Sequence, residues 1–387
     1  MRHLFVTQDY GSDLGGMARR HVEICRRLSP DSVTVSTVAA TDAGSFDRGE
    51  EYPIRRQGFG FPQANRVGNR IRWARDLAAM SPGFDVIHAG NIRASGYAAW
   101  WWARRARIPY LVYVNGGDLL REKRKAKSLT GRLAARRIFS SAAGIFATSR
   151  WVAELSAEVM DLVGVRKPPP VRAFDLGTDP AWFHPRADTG ALRARWKVGS
   201  APLVVTVARL VPHKGQDIGI QALARLRPQF PELRYVLVGE GPEEQRLLGL
   251  AESLGLADRV VFAGVLEDVE LPEAYSTATV YLGASRVDRD FDVEGFGISF
   301  IEAAACGLPS VAEDSGGVRS AVRDGETGLL VPPSDVGAVA GALALMLRDE
   351  KLRAEMGRAG RVAVETHYNW DRGASDTRQF AREVTRR

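Results

Sequence analysis

The sequence predicts an α/β protein with two parallel sheets, one in each half of the chain. Short apolar segments that suit buried strands alternate with amphipathic helical segments, which is typical of parallel sheets. The alternation is interrupted near 179–201 and then starts afresh. A chain of 387 residues is also long enough for two domains with separate cores. We therefore expect two α/β domains with a ligand-binding cleft between them.

In the first half, the apolar segment 4–7 predicts the first strand. A loop that contains Gly15 and Gly16 follows, and an amphipathic helix runs from about Met17 to Leu28. Further strands are predicted at 32–38, 86–88, 110–114 and 144–147. The prolines at 168–170 cannot lie inside a helix, so this segment is interpreted as an extended connector.

The second half repeats the alternation with different residues. Strands are predicted at 203–207, 235–239, 260–262 and 280–282, and helices at 215–226, 243–254 and 298–306. Ligands of such sheets lie beyond the carboxyl ends of the strands, where glycine-rich turns lead into helices. We therefore expect the ligand-binding and catalytic residues of this protein to lie in those turns.

Composition excludes several classes of protein. The chain is 45% hydrophobic and 26% charged, as in folded globular proteins. Its two cysteines, Cys25 and Cys306, provide no disulfide framework; both lie in apolar helical segments, so we expect them to be buried. The beginning of the chain has no secretory-signal pattern, and no apolar segment approaches a membrane span. A net charge of +7 calls for an anionic partner but does not identify it.

The segment from Asp292 to Pro309 carries the most information. A helix is predicted at 298–306, and Gly295 and Gly297 precede its first turn, where free N–H groups and the helix dipole attract an anion. Glu294 in the loop and Glu302 in the helix would then flank a bound ligand and hold its hydroxyls. The alternative is a surface glutamate and a helix-dipole glutamate without a ligand.

Two cations follow the strand at 203–207. Arg209 offers a bidentate fork and Lys214 a point charge, a suitable pair for a diphosphate. Such cations would stabilise the charge that develops on a departing nucleoside diphosphate. The alternative is that both are solvated surface residues.

The loop after the first strand contains Gly15-Gly16 directly before a helix. It lacks the G-x-G-x-x-G spacing of a dinucleotide-binding fingerprint, which argues against a nicotinamide enzyme. The two glycines still permit close approach of the backbone to a phosphate or sugar. The alternative is a tight turn without a function.

Taken together, these motifs resemble the retaining glycosyltransferases of family four over almost the whole chain. The residues that carry the resemblance are Gly15-Gly16, Asp85–His88, Asn115–Asp118, Gly177–Asp179, Phe183–Pro185, Arg209, Lys214-Gly215, Val238–Pro242, Glu294, Glu302–Ala304, Gly307–Pro309, Gly316-Gly317, Asp324-Gly325 and Thr327–Val331. Each motif is weak alone, but their combination in this order is specific. The resemblance implies the GT-B fold, in which two Rossmann-like domains face each other across a donor-binding cleft.

The resemblance also implies domain boundaries. An acceptor-binding domain is expected at 1–185 and a nucleotide-sugar-binding domain at 186–365. The last segment, 366–387, is expected to be a helix that packs back on the first domain.

The resemblance assigns roles to single residues. Arg209 and Lys214 would hold the donor diphosphate, Glu294 the transferred sugar and Glu302 the ribose. The remaining donor-binding positions it implies are Gly15, Gly16, Gly239, Val265, Leu266, Phe296, Gly297 and Ile298. The co-substrate would be a nucleoside-diphosphate sugar, with no other cofactor. The reaction would be retaining transfer of a hexose from a UDP- or GDP-linked donor to an acceptor hydroxyl.

One position departs from the family. The family often has His-Gly-x-Asp where this chain has Asn115-Gly116-Gly117-Asp118. Asn can donate and accept hydrogen bonds but does not titrate near neutrality. We therefore expect Asn115 to contribute through its dipole, with His88 as a second candidate that would otherwise be a packed side chain. This departure supports the alternative function, a catalytically silent nucleotide-sugar-binding protein.

We expect no metal requirement. The Asp288-Arg289-Asp290 segment matches a diphosphate-chelating D-x-D tripeptide, but it lies in a charged loop close to Glu294. The expected acceptor is a glycan, a lipid-linked sugar or a small molecule.

The expected location is the cytoplasm, with peripheral contact at an anionic inner membrane face left open. The basic segment 121–137 and the tryptophans at 100–102 are the candidates for that contact. The alternative is a solvated basic helix beside a partly buried tryptophan cluster. No recognition module for nucleic acid is found, so a nucleic-acid partner is not expected.

Overall fold

The computed structural model describes residues 1–11, 15–28, 31–41, 43–61, 63–80, 83–288 and 292–386. The chain divides into two compact units. The first comprises Met1–Leu176 together with Trp370–Arg387, and the second comprises Gly177–Asn369. Each unit has a parallel sheet with helices, which confirms the predicted class of two Rossmann-like α/β domains.

In its described residues, the first unit contains seven strands and eight α-helices. The strands are β1 (Arg2–Val6), β2 (Ser32–Thr37), β3 (Ile54–Arg56), β4 (Val86–Ala89), β5 (Tyr110–Val114), β6 (Gly144–Ala147) and β7 (Val171–Ala173). The helices are α1 (Gly16–Leu28), α2 (Ala43–Arg48), α3 (Val67–Ala79), α4 (Ser95–Ala106), α5 (Gly116–Lys125), α6 (Leu129–Ser141), α7 (Arg150–Leu162) and, at the end of the chain, α15 (Trp370–Thr385).

The sheet of the first unit has the order β3-β2-β1-β4-β5-β6-β7, and all its neighbours are parallel. Its central strands β4, β5 and β6 are buried along their whole length. A strand with helices on both faces must be apolar on both sides, which explains why these segments are continuous hydrophobic runs. The order reverses between β1 and β4, so the loops after these two strands flank a crevice of the kind that binds ligands.

The last helix, α15, packs against α1 of the first unit. Phe380 lies edge-on to Phe146 with 5.0 Å between ring centroids. The Arg378 guanidinium donates to the Asp31 carboxylate at 3.0 Å. The apolar contact contributes most of the stabilisation, because a partly exposed ion pair of this kind adds on the order of 1 kcal/mol.

In its described residues, the second unit contains six strands and seven α-helices. The strands are β8 (Leu203–Val207), β9 (Arg234–Val238), β10 (Val260–Gly264), β11 (Val280–Gly283), β12 (Ser310–Glu313) and β13 (Gly328–Val331). The helices are α8 (Ala191–Trp196), α9 (Gln216–Leu226), α10 (Glu244–Ser253), α11 (Leu271–Thr277), α12 (Ile298–Ala305), α13 (Val336–Arg348) and α14 (Glu350–Thr366).

The sheet of the second unit has the order β10-β9-β8-β11-β12-β13 and is also parallel throughout. The order reverses between β8 and β11, and the loops that follow these two strands carry Arg209, Lys214 and Glu294. Because β8 and β11 are neighbours in the sheet, the predicted donor-binding residues lie at the same edge of it although they are far apart in sequence.

Both cysteines are buried, as their apolar helical surroundings predict, and neither forms a disulfide bond. Among the helices within the described ranges, none combines the length and the apolar composition that a membrane span requires.

Glu313 at the end of β12 is fully buried. Burial is the largest effect on its carboxyl group and raises its pKa to about 7, although the Ser334 backbone and Arg286 act in the opposite direction. A carboxyl whose pKa is higher in the folded state than in the unfolded state destabilises the fold once the pH rises through that window. Its contribution is therefore fully present below about pH 4.5, falls as the pH rises from about 4.5 to about 7, and does not change further above that pH.

We expect Glu313→Gln to raise the unfolding midpoint at pH 8 and to change it little at pH 4.5, because the amide keeps the shape of the protonated acid. Thermal unfolding at the two pH values checks this. Glu326→Gln is the matched control, since it makes the same substitution at a side chain that is 55% exposed. An equal shift at both pH values for Glu313→Gln would contradict the titration explanation.

Candidate functional site

The core of the candidate site is an ion pair between Lys214 and Glu294. Lys214 follows β8 at the end of a 3-10 turn, Pro212–Lys214, and its ammonium donates to the Glu294 carboxylate. The side chains retain 18% and 15% of their exposure, so both are shielded but open to a ligand. Burial would raise the pKa of Glu294, but the charge and hydrogen bond of Lys214, with further contributions from His213 and Arg209, bring it below its usual value. Glu294 is therefore a carboxylate acceptor for hydroxyl groups at neutral pH.

Arg209 lies at the exposed end of the same loop and adds a second cation to the site. Its positive charge contributes to the lowered pKa of Glu294, so it acts within electrostatic range of that carboxylate. Its backbone carbonyl accepts from the Gln216 side chain at 2.9 Å, which ties the loop to the start of α9. The loop is thus fixed at its backbone while the guanidinium remains exposed.

Two glycines allow the backbone segments that carry Lys214 and Glu294 to pack closely against their neighbours. Gly215 adopts φ +66°, and a Cβ there would lie 1.8 Å from the Ala284 carbonyl oxygen. A Cβ on Gly316, at φ +59°, would lie 2.4 Å from the Glu294 carbonyl oxygen. The next residue, Gly317, donates its N–H to the same carbonyl at 2.8 Å. A side chain at either close approach would push Lys214 or Glu294 out of place.

Helix α12 begins directly after this carboxylate. Gly297 precedes its first residue with φ +96°, so the chain turns sharply from the Glu294 loop into the helix. The first N–H groups of a helix have no partner within it and carry partial positive charge. Phe296 is buried and packs edge-on to Tyr368, and this contact anchors the turn. The amides from Phe296 to Ile298 therefore lie in the segment that joins Glu294 to the first turn of α12.

Glu302 lies one turn further along α12 and is buried, with 5% of its surface exposed. Its carboxylate accepts a hydrogen bond of 2.9 Å from the hydroxyl of Tyr275 on α11. Buried carboxylates need such partners, and this one fixes the orientation of the group. The sequence interpretation gave Tyr275 no role; its helical surroundings gave no indication that it would meet Glu302.

The remaining predicted donor positions lie at the ends of neighbouring strands. Val265 follows β10 and is two-thirds exposed, while Leu266 is buried. Gly239 follows β9 with φ +125°, and a Cβ there would lie 2.2 Å from the Ala208 carbonyl oxygen. The geometry of Gly239 thus serves the packing of the loop that carries Arg209.

In the first unit, Gly15 and Gly16 open helix α1, and both are exposed. Asn115 caps helix α5 after β5, and its backbone N–H donates to the Asp118 carboxylate at 2.8 Å. Burial raises the pKa of Asp118 to about 7. The side-chain oxygen of Asn115 is buried at the start of α5.

His88 lies in the interior of the first unit and is fully buried. Its Nε2 lies 2.9 Å from Nδ1 of His3, its Nδ1 lies 3.0 Å from the Tyr113 hydroxyl, and its ring stacks on Phe5 at 4.2 Å. Burial, with the neighbouring His3 and His21, lowers its pKa well below the usual value, so it is neutral. This geometry favours the interpretation of His88 as a packed side chain.

Two family models match the chain. The model described as Glycosyl transferases group 1 matches residues 191–363, and the model described as Glycosyl transferase 4-like domain matches residues 15–168. The two matches fall on the second and the first unit respectively.

The chain is 41% identical over 201 residues to a GDP-mannose-dependent alpha-(1-6)-phosphatidylinositol monomannoside mannosyltransferase of Mycolicibacterium smegmatis; this alignment covers 51% of the chain and 53% of the relative. It thus spans about half the length of that relative. A D-inositol 3-phosphate glycosyltransferase of Acidothermus cellulolyticus is 35% identical, with 91% of the chain and 77% of the relative covered.

Solved structures agree with the fold. The sucrose-phosphate synthase of Thermosynechococcus elongatus has a TM-score of 0.81 and 26% identity, with 99% of both chains covered. The Anabaena protein HepE, solved in complex with UDP and glucose, has a TM-score of 0.78 and covers 98% of this chain and 99% of its own; at 21% identity it supports the fold alone. With its fold, its ion pair and these matches, the chain belongs to the glycosyl transferases group 1 family.

Proposed function

We propose that this protein is a retaining hexosyltransferase that moves a sugar from a UDP- or GDP-linked donor to an acceptor hydroxyl. The observation that carries the proposal is the Lys214–Glu294 ion pair beside the start of α12. The pair places a cation that can bind a phosphate next to a carboxylate that can accept hydrogen bonds from sugar hydroxyls. Neither a binding protein for neutral ligands nor a nicotinamide enzyme requires that pairing.

The site would act by orientation and electrostatics. Lys214 and Arg209 would neutralise the charge that develops on the leaving diphosphate, and the amides at the start of α12 would receive its distal phosphate. Glu294 would hold a hydroxyl of the transferred sugar, and Glu302, oriented by Tyr275, the ribose. In the retaining scheme the acceptor attacks on the face that the diphosphate leaves, and a phosphate oxygen takes its proton. No titrating protein base is then needed, which suits Asn115 at its position.

The relatives suggest which substrates to test first. GDP-mannose is the donor in the name of the Mycolicibacterium relative, and inositol-containing acceptors occur in the names of both curated relatives. We therefore propose GDP-mannose as the first donor and an inositol phosphate or phosphatidylinositol mannoside as the first acceptor class. UDP-glucose is the comparison donor.

Calorimetric titration of the full chain with GDP, UDP, ADP, dTDP and NAD tests the donor site. We expect one diphosphate, GDP or UDP, to bind, and Arg209→Ala to weaken it by about 10-fold or more, as for a lost charge-assisted hydrogen bond. Lys351→Ala, an exposed lysine on α14, is the matched control. Binding of NAD alone would overturn the proposal. Diphosphate binding without hexose transfer to any offered acceptor would favour the silent binder.

We also propose peripheral contact of the first unit with an anionic membrane. Leu129 and Leu133 are exposed on α6, and Lys127, Arg136 and Arg137 are exposed beside them. Exposed apolar side chains within a basic surface suit an interfacial helix. The tryptophans at 100–102 are weaker candidates for this membrane contact than the sequence suggested. Trp102 is buried, and the Arg105 guanidinium covers the Trp101 ring at 4.1 Å from its centroid.

We expect the full chain to co-sediment with phosphatidylglycerol-containing vesicles at low salt and not with pure phosphatidylcholine vesicles. The double substitution Leu129→Ser with Leu133→Ser should weaken binding by about 10-fold or more, since each buried leucine contributes over 1 kcal/mol. Leu345→Ser, an exposed leucine in the second unit, is the control. Equal binding to neutral and anionic vesicles would contradict the electrostatic contribution.

A further inference from the structure

A group of metal-binding side chains lies next to the ion pair. Among the described residues, His213, Asp288 and Asp292 each offer one ligand atom, and these atoms all lie within 4.8 Å of one another. His213 directly precedes Lys214, and Asp292 lies two residues before Glu294. The group therefore connects the turn after β8 with the loop after β11.

The histidine in this group is buried, since only 7% of the His213 surface is exposed. Its Nδ1 is directed at the Asp288 carboxylate, with Oδ2 at 4.0 Å. That distance is too long for a hydrogen bond.

Two backbone N–H groups make hydrogen bonds that hold the segments of this group together. The N–H of Arg286 donates to the His213 carbonyl at 2.8 Å, which joins the two segments. The N–H of Asp292 donates to Oδ1 of Asp288 at 2.9 Å. The Asp288 oxygen nearest to Nδ1 of His213 is the other one, Oδ2.

The distances suit a small cation. Bonds of about 2.0–2.2 Å from one ion to nitrogen and oxygen ligands place the ligand atoms roughly 3–4.3 Å apart. The observed separations need to shrink by about 1 Å or less to reach that range, within the reach of side-chain rotation.

We propose that His213, Asp288 and Asp292 bind a divalent first-row transition-metal ion, such as Zn²⁺ or Mn²⁺, that fixes the loop after β11 to the turn after β8. One imidazole with two carboxylates selects such an ion over Mg²⁺, which prefers oxygen ligands alone. This ion differs from the diphosphate-chelating metal of a D-x-D motif. Asp288 belongs to that tripeptide, and Arg289 and Asp290 lie outside the described residues; the ligands proposed here are His213, Asp288 and Asp292.

The ion would also affect the donor site, a consequence that rests on the proposed function. It neutralises two carboxylates close to Lys214 and Glu294 and so reduces repulsion of a diphosphate. It also holds the residues next to the ion pair in place. We therefore expect tighter binding of the nucleoside diphosphate when the ion is present.

Calorimetric titration of the EDTA-treated and dialysed full chain with ZnCl₂, MnCl₂ and MgCl₂, without nucleotide, tests the site. We expect saturable binding of one Zn²⁺ or Mn²⁺, a higher unfolding midpoint with the bound ion, and weaker binding of Mg²⁺. His213→Ala and Asp288→Asn should each weaken Zn²⁺ binding by at least about 10-fold. Asp288→Asn keeps the side-chain shape and decides the question if His213→Ala fails to fold.

His184→Ala is the matched control, because His184 is a partly exposed histidine in the same unit. Wild-type Zn²⁺ affinity in both site variants, absence of saturable binding, or binding of Mg²⁺ as tight as that of Zn²⁺ would each overturn the proposal. A separate titration with the nucleoside diphosphate in EDTA distinguishes this outcome from failure of the proposed function, since donor binding does not require the ion.

Discussion

Lys214→Ala is expected to lower kcat/KM for the nucleotide-sugar donor by about 10²–10³, the effect typical of removing one group that stabilises charge in a transition state. The substitution removes a cation from the leaving diphosphate. It also leaves Glu294 without its ion-pair partner, so the pKa of that carboxyl will rise because burial is then less opposed. Both effects weaken binding of the nucleotide-sugar donor. Release of nucleoside diphosphate from GDP-mannose or UDP-glucose is the measurement.

The Kd for the nucleoside diphosphate in Lys214→Ala should rise by about 10- to 100-fold, since hydrogen bonds to charged groups contribute about 1.5–3 kcal/mol. Lys351→Ala should leave both quantities unchanged, because that ammonium is 87% exposed and its nearest carboxylate lies at 3.9 Å. Wild-type kcat/KM and Kd in Lys214→Ala would mean that the ion pair is only structural. The proposed role of Lys214 would then be wrong.

Gly215→Ala is expected to give the largest loss of stability, about 3 kcal/mol or more, because two costs combine. The residue adopts φ +66°, which costs about 1 kcal/mol for a residue with a side chain. The new methyl group would also lie 1.8 Å from the Ala284 carbonyl oxygen, and backbone cannot move aside as a flexible side chain does. Urea unfolding followed by circular dichroism measures the change.

Gly249→Ala is the matched control for this substitution. Gly249 lies in helix α10, is exposed, and a Cβ there meets no atom within 4 Å. Alanine should stabilise that helix by about 0.5–1 kcal/mol. An equal effect of the two substitutions would show that the close approach at Gly215 relaxes without cost.

The sequence predicted the fold class because its signals are local. Buried parallel strands are apolar on both faces, and helices end or begin at glycine, so the alternation can be read without knowing which strands pair. The turn residues were predictable for the same reason: Arg209 and Lys214 follow β8, and Gly297 precedes α12 within a few residues. The strands β3, β7 and β13 were not predicted. Two of them, β3 and β7, have only three residues, which carry too little pattern.

Contacts between distant segments could not be predicted from local patterns. Lys214 and Glu294 are 80 residues apart. They meet because the sheet order places β8 beside β11. Tyr275 meets Glu302 because α11 and α12 pack together, a contact that no spacing along the chain indicates.

By itself, the sequence determined the two α/β units, the glycine-rich turns and the residue types available for a diphosphate and a sugar, because periodicity and turn chemistry are properties of neighbouring residues. Only the tertiary structure decided which of them act together. It paired Lys214 with Glu294, buried His88 against Phe5, and directed His213 at Asp288. Burial and the order of strands in a sheet set these contacts, and both depend on the whole chain.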